Sequence, residues 1–150
     1  MAVVDRYVER TTVSHAISNP VDRLKQEEGK PVKYMLLIYD TEEELGNLSE
    51  AERWRIAGEY MQLTQRLKSD GNYLGGAQLR TTVSATSVRI RNGQRLLTDA
   101  PFAETYEQFG GYYLIEAKDL DEALDIAAQI PSARFGTVEV RPIVEPAPVV

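Results

Sequence analysis

Six consecutive apolar residues, Tyr34-Met-Leu-Leu-Ile-Tyr39, constrain the fold of this chain more than any other feature of its sequence. Successive side chains of a β-strand point to opposite faces. Tyr34, Leu36 and Ile38 therefore line one side, and Met35, Leu37 and Tyr39 line the other. Both sides need cover from water, which is the signature of a central strand. Residues 112–117, Tyr-Tyr-Leu-Ile-Glu-Ala, are apolar on both sides in the same way.

The segments between these strands supply helices and a hairpin. Ser49-Glu-Ala-Glu52 is a capping box: the serine accepts from the backbone three residues on, and the glutamate reaches back. The helix it opens carries Ile56, Tyr60, Leu63 and Leu67 at helical spacing and ends near Asp70-Gly71. A strand over 73–79 follows, with Gly75-Gly76 marking a bulge. Thr86, Val88 and Ile90 alternate with polar residues up to Asn92-Gly93, a pair suited to a type I′ turn, so 86–98 form a hairpin with Val88 facing Leu97. Asp119 caps a short helix containing Ala123, Leu124, Ala127 and Ala128, stopped by Pro131, and 137–143 form the last strand. The order is a ferredoxin-like βαββαβ with an inserted β-hairpin, an α+β fold. Two helices cover one sheet face. A second copy of the sheet is the simplest cover for the other, which predicts a homodimer.

Composition narrows the chemistry. The 150 residues include no cysteine and a single histidine, His15, which excludes disulfides, cysteine-metal sites and relays of several histidines. No metal site and no cofactor are expected. A net charge of −6 disfavours direct nucleic-acid binding. No apolar run is long enough to span a membrane and the first residues lack a secretory apolar core, so the expected location is cytoplasmic. Residues 1–32, charged and without period, read as an extension, 33–143 as the domain, and 144–150 as a proline-bearing tail.

The chemistry-bearing candidate is Thr98-Asp-Ala-Pro-Phe-Ala-Glu-Thr105. Pro101 stiffens it, Phe102 offers an apolar wall, and Asp99 and Glu104 are candidate catalytic acids or bases, because a carboxyl beside an apolar wall has a raised pKa. The same pattern also suits an Asx turn at Asp99, with Phe102 anchored in the core and Glu104 capping a helical turn. Tyr112 is a candidate pocket residue, and Arg134 or Arg141 could anchor an anionic ligand group. Arg80, Arg89, Arg91 and Arg95 cluster around the hairpin and read as a solvated surface. Glu42-Glu43-Glu44 read as a solvated loop, while Trp54 and Tyr60 read as core or interface.

Three segments, Thr98–Thr105, Gly110–Ala123 and Ala133–Pro142, together with the opening strand Lys33–Tyr39, resemble the YCII-related family in its DGPF branch over about residues 33–143. Ala100 stands where the branch's name motif has glycine. The resemblance implies a dimeric α+β barrel of ferredoxin-like subunits, and a small-molecule ligand bound in a pocket near the dimer interface. Members of the wider family resemble small-molecule enzymes, some of them lactone dehalogenases, that use a His–Asp pair; this chain has no histidine in the matching region. Other DGPF proteins accompany extracytoplasmic-function sigma factors, so the resemblance also implies a non-catalytic regulatory or accessory role as the alternative.

Overall fold

The computed structural model describes residues 29–146. The chain runs β1 (Val32–Asp40), α1 (Glu42–Gly46), α2 (Glu50–Asp70), β2 (Tyr73–Gln78), a 3-10 turn (Thr82–Ser84), β3 (Ser87–Arg91), β4 (Gln94–Thr98), β5 (Gln108–Ala117), α3 (Leu120–Ala128), a second 3-10 turn (Pro131–Arg134) and β6 (Thr137–Pro142). Strands β2-β5-β1-β6 form one antiparallel sheet, the strand order of a ferredoxin-like fold, and β3 and β4 form a separate two-stranded ribbon. The strand expected over Tyr34–Tyr39 extends two residues further at its start and one at its end, to Val32–Asp40. The proposed extension 1–32 and His15 fall almost wholly outside the described residues, as does the end of the tail.

Local chemistry sets the element ends. Ser49 and Glu52 make the reciprocal capping box that starts α2, and Gly71, at φ 81°, ends it. Asp119 accepts from the Glu122 N–H at the start of α3. Asn92 and Gly93 have φ values of 52° and 74°, the backbone a type I′ turn demands, and Val88 pairs with Leu97. The bulge expected at the double glycine lies between Tyr73 and Gly75. A Cβ on Gly76 would come within 2.9 Å of the Tyr112 carbonyl oxygen, so β2 and β5 approach too closely there for a side chain.

The core is the even-numbered face of β1. Tyr34, Leu36 and Ile38 pack with Tyr113 and Ile115 of β5 against Leu63 and Leu67 of α2 and Ala123, Ile126 and Ala127 of α3. In α3 the inward stripe includes Ile126, whereas Leu124 and Ala128 are exposed, a correction to the expected register. Met35, Leu37 and Tyr39 stay half-buried on the opposite face, with Met35 opposite Leu114 and Leu37 opposite Tyr112. The acidic run after β1 is a short helix rather than a loop. The Glu42 carboxylate accepts from the Thr82 N–H at 2.7 Å and its hydroxyl at 2.8 Å, tying α1 to the first 3-10 turn.

Candidate functional site

The period-2 alternation of β1 carries one residue further than its apolar run. After Tyr34, Leu36 and Ile38, the next position on the core face is Asp40, 8% exposed. Its Oδ2 accepts from the Ser132 hydroxyl at 2.9 Å, and Ser132 Oγ lies 2.6 Å from the Tyr60 hydroxyl. Its Oδ1 is buried without a hydrogen-bond partner. Three elements meet here: the end of β1, the middle of α2 and the 3-10 turn that Pro131 starts after α3. Gly136 packs directly against the carboxyl. A Cβ there would lie 2.2 Å from the Tyr39 carbonyl oxygen and 2.5 Å from Asp40 Oδ1. Across the sheet, the β1–β5 register shifts between Ile38 and Tyr39, so a bulge sits directly beside the carboxyl.

Burial and nearby charge both act on this carboxyl. Burial pushes the Asp40 pKa above its ordinary 3.8, the Ser132 hydrogen bond opposes that rise, and the Glu107 charge adds to it. Burial likewise raises Tyr60, against the Ser132 hydrogen bond, with the Asp40 charge adding to the rise, so Tyr60 stays a phenol. When Asp40 is ionised, Ser132 donates to it and accepts from Tyr60. When Asp40 is protonated, the chain can reverse, with Asp40 donating to Ser132 and Ser132 to Tyr60. Two hydroxyls thus connect a buried carboxyl to the half-buried edge of α2.

The residues singled out from sequence fall into three places. Tyr112 and Arg141 share the open sheet face, on the strands flanking Leu37 and Met35, and Arg141 Nε donates to Glu139 at 2.7 Å. Arg134 is on the other side, in the Ser132 turn, where it pairs with Glu59 at 2.5 Å, one residue before Tyr60. Asp99, Phe102 and Glu104 lie on the exposed segment between β4 and β5. The Thr86 hydroxyl donates to Asp99 at 3.5 Å, a long contact. Phe102 is 81% exposed, so it is no core anchor, and Glu104 caps no helix. Ala100 has an ordinary backbone, since Asn92 is the one non-glycine residue with positive φ among the described residues, and its carbonyl accepts from the Ser87 hydroxyl at 2.7 Å. The glycine of the name motif is not needed for conformation here. The far end of this segment is fixed beside the carboxyl. Gln108 is the β5 partner of Asp40, and its side-chain amide donates to the carbonyls of Thr105 and Tyr106 while its oxygen accepts from the Glu42 N–H.

Asp40 and Ser132 were not among the residues expected from sequence, and Tyr60 was read only as core or interface. The available signal was the phase of β1: an aspartate in register with three core positions is a buried charge unless something else is in play.

The fold and this cluster define a small ferredoxin-like α+β domain with one buried, incompletely satisfied carboxyl linked to two hydroxyls. Residues 32–146 match the YCII-related domain, and the chain belongs to that family. It is also 35% identical over 112 residues to an uncharacterized protein of Rhizobium meliloti (strain 1021), covering 73% of this chain and 90% of that protein. No helix among the described residues is long and apolar enough to cross a membrane.

Proposed function

We propose that this domain, a member of the DGPF branch acting in the cytoplasm, binds and transforms a small organic molecule, with Asp40 as its acid–base group and Ser132 and Tyr60 as the proton path. The observation that carries the reading is the buried carboxyl with an unpartnered oxygen. A fold spends stability to keep such a group, and groups of this kind concentrate at functional sites. Tyr60 is the member of the relay that reaches the edge of the core, so a ligand would exchange its proton there. Arg134, on the same turn as Ser132, supplies a cation that a ligand carboxylate could claim from Glu59. Homodimer formation through the open sheet faces, as an α+β barrel, would set Tyr112 and Arg141 in the seam. Asp99, Phe102 and Glu104 fit as the wall that their exposed segment offers to that seam.

A thermal-shift screen of small organic acids, lactones and carbonyl compounds, with hits assayed for turnover, tests this directly. Asp40→Asn should keep the fold and abolish turnover of a hit that stabilises the wild type. If Asp99→Asn abolishes turnover and Asp40→Asn leaves it intact, the acid–base role belongs to the 98–105 segment instead. Retention of full turnover by both variants would remove carboxylate chemistry from the reading.

A further inference from the structure

We infer that the Ser87–Thr98 hairpin is a docking arm that seats on the acidic body of a second copy of this chain. An isolated two-stranded ribbon is marginal in water and needs a surface to pack on. Among the described residues this one joins no other strand, since β3 and β4 pair with each other only. Cross-strand register puts Val88, Leu97 and Ile90 on one face of the ribbon together with Arg95, the partner of Ile90, and the three apolar residues are 60%, 58% and 58% exposed. Among the described residues, that face has no packing surface of its own.

Charge identifies the occupant. Residues 80–98 hold four arginines and no acidic residue, a charge of +4, while the whole chain carries −6, which leaves −10 on the remainder. The one strongly basic element therefore projects from an acidic body, and that body's complement is another copy's arm. The root of the arm is tied to the Asp40 end of the sheet through the Glu42–Thr82 hydrogen bonds, so the arm leaves from the end at which the candidate site lies. This inference rests on the sheet-face dimer proposed above and adds a second, electrostatic contact to it.

Salt separates the possibilities because the two effects have opposite sign. Two bodies of −6 repel, so added salt should tighten a dimer held by apolar faces alone. A dimer held also by basic arms on acidic surfaces should loosen as salt rises. Sedimentation or light scattering across about 0.05 to 0.5 M salt reads this. The expected result is a wild-type dimer that weakens with salt. In the triple variant Arg89→Gln, Arg91→Gln, Arg95→Gln, which keeps the Asn92-Gly93 turn and the Val88–Leu97 pair, the dimer should be roughly tenfold weaker at low salt and should tighten rather than loosen as salt rises. Val88→Ser with Ile90→Ser should weaken it as well. Variants that dimerise like the wild type at every salt concentration would overturn the arm and leave the sheet-face dimer standing. A monomeric wild type would overturn both. Duplex DNA binding by the wild type that the arginine variant loses, with unchanged mass, would assign the arm to nucleic acid instead.

Discussion

A missing methyl group at Gly136 is what lets the Asp40 carboxyl lie where it does. With a Cβ 2.2 Å from the Tyr39 carbonyl, the 3-10 turn could not close on the end of β1. Gly136→Ala should cost about 3 kcal/mol in urea denaturation, because the clashing partner is backbone and cannot swing away. Hydroxyl removals should rank by what they strand. Tyr60→Phe leaves Ser132 bonded to Asp40 and should cost about 1 kcal/mol. Ser132→Ala strips the remaining donor from a carboxyl that already has one orphan oxygen, and should cost about 2–3 kcal/mol. Equal costs for the two would mean that the relay is not connected as described.

At the scale of elements, the features legible in the sequence were those with local causes. The capping box, the Asn-Gly turn, the Asp119 cap and the double-glycine bulge each depend on a few adjacent residues, and each is present. Ser49→Ala should therefore lower stability by about 1 kcal/mol, a shift of a few degrees in melting temperature. What sequence reading lost depends on distant partners. Glu42 looks like part of a solvated acidic run until Thr82, forty positions on, supplies two donors to its carboxylate. Asp40 ends an apolar run and is easily taken for the first loop residue; its burial follows from Ser132, which is ninety-two positions away. Carboxylates, a proline and an aromatic are concentrated instead in 98–105, where Phe102 is 81% exposed. Composition marks where chemistry-bearing residues are dense, but burial decides which of them hold a perturbed proton.

At the scale of the whole molecule, the proposed dimer would bring together the half-buried apolar sheet face, the basic ribbon and the acidic remainder of the chain. A light-scattering mass of twice the chain at micromolar concentration is the expected outcome. A monomer without dye-binding apolar surface would contradict it. Stability should also follow the Asp40 proton. Because its folded pKa lies above the ordinary value of 3.8, its contribution is fully present below that value and is lost as pH rises through the folded pKa. Asp40→Asn, free of that loss, should be more stable than the wild type at about pH 8, far above any ordinary carboxyl pKa. The gap should narrow on acidification. The most direct measurement is a carbon-13 NMR titration of the Asp40 side-chain carboxyl in the intact protein, repeated in Ser132→Ala. The midpoint should lie above the ordinary carboxyl range and rise further without the serine hydroxyl, whose hydrogen bond holds it down. An Asp40 midpoint at or below 3.8 would make the residue a structural anion and contradict its acid–base role.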